Sequence, residues 1–287
     1  MEPRSAVFLK VLLNAYHPGP LQGLVKVLPQ DQAKEVLSAT ASSKNPALGF
    51  TWLHQTIART HYSWLAPIVK KLPKGIHSPL ITAMPQAQSA GLQKMLNLLP
   101  FPGNLPSCAK ALLLEKFYAE WQEPEAIPLD FLPSSPLSEL LTLSKNELVD
   151  VIDFLSVYDL AEGIKQIVDQ KKLKLIYLCL TAKKQQFLRL CLHKREKVSA
   201  SKFDIEKWDG KQETLTHLLH RRGLLRFGKA LNGQGRHFLW HIVHMLDAGR
   251  GQIINNYYDD HVTPGVTSLL GLQVASVIKF LKPKSST

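Results

Sequence analysis

Apolar side chains recur at helical spacing along most of the chain, and one of these patterns occurs twice. Residues 17–39 read HPGPLQGLVKVLPQDQAKEVLSA, and residues 61–83 read HYSWLAPIVKKLPKGIHSPLITA. The two stretches match without a gap at an offset of 44 residues, which places Val25 opposite Val69. Such an offset is typical of helix-pair repeats, in which each unit buries its apolar face by stacking on a neighbour. The pattern predicts an all-α protein of stacked short helices.

Helix start signals continue in the second half of the chain. Ser144 and Glu147 have the spacing of a capping box and precede apolar positions at i, i+3, i+4 and i+7. Thr181 is predicted to cap a helix over 182–193, and a last apolar helix is predicted from Pro264 onward. No stretch alternates with period two, so we expect almost no sheet.

Proline-rich sequence separates two helical regions. Residues 100–106 read PFPGNLP, and residues 123–136 are also rich in proline, which interrupts helices. We therefore predict an N-terminal helical-repeat domain over 1–100, an acidic connector over 101–134 and a C-terminal helical domain over 135–287.

The composition is that of a globular protein, with 45% hydrophobic and 20% charged residues. No apolar run reaches the roughly 18 residues of a membrane span, and the first residues lack the features of a secretory signal. The three cysteines have no CxxC spacing, which argues against a disulfide framework. We expect a cytoplasmic protein.

Charge is distributed in blocks along the chain. Residues 1–114 carry a net charge of +8, residues 115–162 carry −9, and residues 163–236 carry +12. The acidic block either consists of solvated helix faces or attracts a basic partner or its own flanks. Because an acidic belt repels phosphate and no nucleic-acid-binding signature is present, we expect no nucleic-acid partner. The basic blocks leave a helical repeat that associates with nucleic acid as an alternative interpretation.

Residues 141–190 contain two motifs that carry a family resemblance. D-L-A-x-x-h-K, where h is apolar, occurs at 159–165, and I-x-x-x-L-[ST]-x-[KR] occurs at 176–183. Both resemble the C-terminal part of the flagellar motor switch protein FliG. The N-terminal copy of the repeat, residues 17–39, also resembles the middle, armadillo-like domain of FliG, since His17-Pro18 match the E-H-P-Q motif of that domain. Tyr16 and Gly19 stand in place of the glutamate and the glutamine.

The charged torque helix by which FliG meets the stator has no match in this chain. The resemblance therefore implies a non-enzymatic adaptor of a type III secretion apparatus, similar to the SctK-type adaptors, including chlamydial forms. Such an adaptor binds inner-membrane ring and cytoplasmic ring proteins at the cytoplasmic face of the membrane. It needs no cofactor, no metal and no small-molecule substrate.

The candidate partner-binding residues are the histidines at the start of the two repeated stretches, the proline after the first of them, two basic pairs and the charges of the first motif. They are His17, Pro18, His61, Lys70, Lys71, Asp159, Lys165, Arg221 and Arg222. Structural roles as helix stops or solvated charges stand beside this interpretation for the histidine-proline and basic pairs.

A histidine cluster offers the alternative function of a metal-dependent helical enzyme. His237, His241 and His244 lie on one helix face by their spacing, and imidazole is a ligand of zinc. No HExxH glutamate and no cysteine accompany them, so the sequence favours satisfied or surface histidines.

Two further motifs indicate local structure rather than chemistry. The sequence GKALNGQG over 228–235 lacks the serine or threonine and the preceding strand of a phosphate loop, so it predicts a helix end and a turn. Asp259 and Asp260 are predicted to cap the next helix. No GxSxG nucleophile elbow is present.

Overall fold

The computed structural model describes residues 3–17, 19–40, 45–46, 48–121, 126–193, 205 and 208–282. Within these ranges the chain forms fourteen α-helices and no β-strand, so the predicted all-α class is confirmed. The helices are α1 (Pro3–Tyr16), α2 (Gln30–Ser38), α3 (Leu48–Arg59), α4 (Tyr62–Lys71), α5 (Lys74–Ala83), α6 (Gln86–Leu96), α7 (Ser107–Trp121), α8 (Lys145–Ile164), α9 (Gln170–Cys179), α10 (Ala182–Leu192), α11 (Gln212–Ala230), α12 (Arg236–Met245), α13 (Ala248–Tyr257) and α14 (Val266–Leu281). In the described part of the chain, no helix combines the length and the apolarity needed to cross a bilayer.

The chain divides into two compact units, and their limits differ from the predicted domains. Unit 1 contains Met1–Ser135 and Gly235–Ala248, and unit 2 contains Pro136–Gln234 and Gly249–Thr287. The stretch predicted as a connector lies in unit 1, because α7 buries Leu114, Phe117 and Trp121 in its core.

Helix α12 belongs to unit 1 although it follows most of unit 2 in sequence. Its Trp240 lies in the same core cluster as α4, α5 and α7 residues. The backbone N–H of His61 donates to the His244 carbonyl at 2.7 Å, and the indole N–H of Trp64 donates to the Leu246 carbonyl at 2.9 Å. These bonds satisfy carbonyls at the C-terminal end of α12 that have no partner within the helix.

The repeated stretches are equivalent in their second helix but not in their first. Helices α2 and α5 begin 44 residues apart, and each follows a leucine-proline corner. The first stretch forms only a 3-10 turn over Val25–Val27, whereas the second forms the ten-residue helix α4. Gly19, Pro20 and Gly23 interrupt the first stretch, which accounts for the difference. Val25 and Val69 are both buried, in separate clusters.

The same kind of corner joins helices elsewhere in the chain. An extended apolar residue ends one element and a proline, serine or threonine starts the next, as at Met84-Pro85, Leu143-Ser144 and Leu180-Thr181. At Ser144 the predicted capping box is confirmed, since its hydroxyl accepts from Glu147 N at 3.3 Å and the Glu147 carboxylate accepts from Ser144 N at 2.8 Å.

Helix α8 is the centre of unit 2. It is buried on most of its sides because α10, α11 and α14 pack around it. Helix α11 approaches α8 so closely that a Cβ atom at Gly223 would lie 2.0 Å from the carbonyl oxygen of Ile152. Glycine is therefore required at this crossing.

Candidate functional site

Helix α9 presents a face on which apolar side chains are open to solvent. Ile176 is fully buried on the opposite side, whereas Leu175 is 45% and Leu178 is 78% exposed. Lys171 and Lys174 are also exposed and share this side, because positions i, i+3, i+4 and i+7 lie together on a helix. We call these four residues, Lys171, Lys174, Leu175 and Leu178, the α9 face.

Positive charge dominates the sequence around the α9 face. Residues 170–192, which cover α9 and α10, contain six Lys or Arg and no Asp or Glu. The neighbouring Asp169 is committed to capping α9, where its carboxylate accepts from the backbone N–H groups of Lys171 and Lys172 at 2.8 and 3.4 Å. The face therefore combines two exposed leucines with two exposed lysines, and apolar and charged side chains also occur together at protein-binding surfaces.

Asp159 and Arg222 were predicted to contact a partner, and the structure corrects this. Asp159 is 5% exposed. Its carboxylate accepts from Arg222 Nε at 2.8 Å and from Arg226 Nη2 at 2.7 Å. Arg226 also donates to the amide oxygen of Gln273 at 2.7 Å. Because a carboxylate of α8 faces two arginines of α11, these charges hold the two helices together and are not available to a partner.

Four of the predicted partner-binding residues lie at the surface. Lys70 and Lys71 are exposed in the last turn of α4, and Arg221 is exposed on α11. Lys165 follows α8 and pairs with Glu162 at 2.9 Å. Their role in binding stays a prediction.

The two predicted histidines occupy helix ends. The backbone N–H of His17 donates to the Leu13 carbonyl at 2.9 Å at the end of α1. His61 caps α4, since its Nδ1 accepts from Ser63 N at 3.3 Å. His61 thus has a structural role that its sequence context did not indicate. Pro18 lies outside the described residues.

The histidine cluster on α12 is a packing feature. The Nε2–H of His241 donates to the Ile127 carbonyl at 2.7 Å, and the Nδ1–H of His244 donates to the Trp240 carbonyl at 2.8 Å. Burial lowers the pKa of both imidazoles to about 4, so they are neutral at pH 7. In the described ranges no group of three His, Cys, Asp or Glu side chains could hold a metal ion. A metal-dependent enzyme built on His237, His241 and His244 is therefore not supported.

The glycine-rich sequence over 228–235 and the Asp259-Asp260 pair both lie at turns. Helix α11 ends at Ala230, and the residues before α12 form the predicted turn, in which Gly233 has φ +72° and its N–H donates to the Asp259 carbonyl. Asp259 does not cap α14 as predicted. Its carboxylate accepts from His261 N at 2.8 Å within its own loop, and this bond lowers the Asp259 pKa.

Comparison with family models, with curated proteins and with solved structures finds no match to this chain.

The α9 face escaped sequence interpretation because its helix has apolar residues on several sides. The string KKLKLIYLCL over 171–180 contains leucines at both buried and exposed positions. The lysines at 171 and 174 are the local signal that marks the solvent side, since an amphipathic helix directs its charged residues to water. Leu175 and Leu178 share that side with the lysines.

Proposed function

We propose that this protein is a non-catalytic helical adaptor that binds other proteins, with the α9 face as one binding surface. The observation that carries the proposal is the exposure of Leu175 and Leu178 side by side on a helix. Burying one leucine side chain contributes roughly 1.5–3 kcal/mol, so an exposed pair of this kind is a source of binding free energy. The lysines on the same face favour rapid encounter with an acidic partner.

Unit 1 offers a second surface, which an adaptor needs. Leu12 and Tyr16 are exposed one turn apart on α1, and Val27 is 88% exposed in the 3-10 turn that follows. Surface apolar residues at i and i+4 can contact the same partner. Each unit thus supplies apolar side chains for a separate partner.

The finer proposal is that the adaptor works in the cytoplasmic ring or sorting platform of a type III secretion apparatus, with an armadillo- or FliG-like arrangement of short helices. Its support is the FliG-like string over 141–190 and the histidine-proline stretch at the start of the chain. Several motif positions in these stretches have defined local roles. Leu180 and Thr181 of the second motif form the corner between α9 and α10, and Lys165 of the first motif directly follows α8.

Site-specific photo-cross-linking tests the proposal. A photoreactive residue is placed at Leu178, and a control is placed at Thr216, which is exposed on α11 of the same unit. We expect a discrete protein adduct from position 178 and none from position 216 in cells that assemble the apparatus.

Mass spectrometry of the adduct separates the two levels of the proposal. A ring component of the secretion apparatus supports the finer one. A partner unrelated to secretion overturns the setting and retains the adaptor. The absence of any adduct at 178 overturns the α9 face as a binding surface.

A further inference from the structure

The geometry and charge of the α9 face point to a partner of one kind. We propose that it binds an acidic amphipathic helix of another protein, an inference that rests on the proposed adaptor function. The bound helix would place apolar side chains against Leu175 and Leu178 and carboxylates beside Lys171 and Lys174.

The angular positions on α9 define the shape of the surface. At 100° per residue, the four residues of the face span about 100° of the helix circumference. Leu178 lies near the middle of this arc, and Lys171 and Lys174 stand beside it. The two leucines span about 60° of this arc, and neighbouring apolar side chains of this kind can contact the apolar stripe that an amphipathic helix presents.

Two further apolar residues, which flank the face in the sequence, are also exposed. Val168 is 93% exposed just before α9, and Leu190 is 50% exposed on α10. Single exposed apolar residues are ordinary on protein surfaces, whereas neighbouring exposed residues such as Leu175 and Leu178 indicate an interaction site.

Charge selects an acidic occupant. Since Lys171 and Lys174 are the exposed charges of the face, a basic helix would be repelled and a neutral helix would leave both lysines without counter-charges. Glutamates or aspartates at the edges of the bound helix would pair with Lys171 and Lys174. Such rim pairs raise the association rate more than the affinity, and salt screens them.

The exposed leucines favour an acidic protein as the partner over nucleic acids, anionic membranes and phosphate. Single-stranded nucleic acids are bound by stacking on aromatic rings, and the α9 face has none. Lysine alone suffices to attract an anionic membrane surface or phosphate, and neither requires Leu178 at the middle of the face.

A matched pair of labelled peptides tests the inference. Both are helix-forming peptides of about 20 residues with leucine at i, i+3, i+4 and i+7 positions. One carries glutamate and glutamine at the remaining positions, and the other carries lysine and glutamine. Binding to the full chain is measured by fluorescence anisotropy at low and high salt. Vesicles containing phosphatidylserine are measured in parallel by sedimentation.

The variants separate the apolar and the electrostatic parts. We expect Leu178→Ser to weaken binding of the acidic peptide at least tenfold, as truncation of a central interface residue does. Lys171→Glu with Lys174→Glu should slow association and flatten the salt dependence. Leu272→Ser is the control, because Leu272 is 64% exposed on α14 of the same unit. Circular dichroism and thermal unfolding establish that each variant folds.

Each other outcome overturns the inference. Equal binding of both peptides excludes charge selection, and equal binding to wild type and Leu178→Ser excludes the α9 face. Binding of vesicles without binding of the acidic peptide assigns the face to lipid. A Leu178-dependent dimer in analytical ultracentrifugation assigns it to a second copy of the chain. If cross-linking at Leu178 captures a partner without an acidic helix, the adaptor function stands and this inference fails.

Discussion

Acidification is expected to destabilise unit 1 through two buried histidines. Burial lowers the pKa of His241 and His244 from 6.5 to about 4. Unfolding returns both imidazoles to water, so the unfolded chain binds more protons than the folded one between these two pH values. The stability contributed by the neutral imidazoles is therefore fully present above pH 6.5 and is lost as the pH falls toward 4.

The magnitude follows from the difference between the two pKa values. A difference of about 2.5 corresponds to about 3 kcal/mol for each histidine once the pH lies below both values. At pH 5, where the folded imidazoles are still mostly neutral, the loss is about 2 kcal/mol for each. The pair therefore removes about 4 kcal/mol, a large part of the 5–15 kcal/mol that typical domains possess.

Urea unfolding followed by tryptophan fluorescence measures the effect. Trp64 and Trp240 lie on either side of the His244 ring, at centroid distances of 4.4 and 4.1 Å, so their emission reports on this region. The free energy of unfolding is compared at pH 7.5, 6.5, 5.5 and 5.0. His244→Gln should be less stable at pH 7.5 and should lose about half of the pH dependence.

The control is His217→Gln, because His217 is exposed on α11. It should keep the full pH dependence of the wild type. A free energy of unfolding that does not change between pH 7.5 and 5.0 in the wild type would refute the reasoning. The same conclusion follows if His244→Gln keeps the entire pH dependence, since buried neutral histidines would then not be the cause.

Four further substitutions test the packing of unit 2 by chemical denaturation. Gly223→Ala should lower the free energy of unfolding by about 2–3 kcal/mol, because its Cβ would lie 2.0 Å from the Ile152 carbonyl oxygen. A Cβ atom at Gly271 on α14 would meet nothing within 4 Å, so Gly271→Ala should raise the free energy of unfolding by about 0.5–1 kcal/mol. Equal effects of Gly223→Ala and Gly271→Ala would contradict the close crossing of α8 and α11. Asp159→Asn should cost about 3–5 kcal/mol by leaving two arginines without their counter-charge, and a cost below 1 kcal/mol would show that the pair is not buried. Ser144→Ala should cost about 1 kcal/mol by removing the cap of α8, and an unchanged midpoint would contradict that role.

Local sequence rules located many of the helix ends. Ser144 with Glu147 marked the start of α8, and Thr181 marked the start of α10. These signals are readable because a cap satisfies backbone groups within three residues of itself. The repeat was readable only in part. Leu28-Pro29 and Leu72-Pro73 form equivalent corners, but the glycines and prolines before Val25 replaced a helix with a 3-10 turn.

The candidate site was less accessible to sequence reasoning. Asp159 and Lys165 belong to one motif, yet one is buried between two arginines and the other lies at the surface. Nothing within the motif distinguishes them, because burial depends on which distant helix packs against each side. Apolar residues are equally ambiguous, since Ile176 is enclosed while Leu178, two positions later, is open to solvent.

Helix propensity, capping and proline breaks act over three or four residues, so the helical class and several helix starts can be read from the amino-acid sequence. Packing between distant helices, in contrast, assigns α12 to unit 1 and neutralises Asp159 within unit 2. The Trp64–Leu246 bond joins residues 182 positions apart, and the Asp159–Arg226 pair spans 67 positions. Contacts of that range depend on how whole helices pack, and no local pattern of apolar and polar residues specifies them.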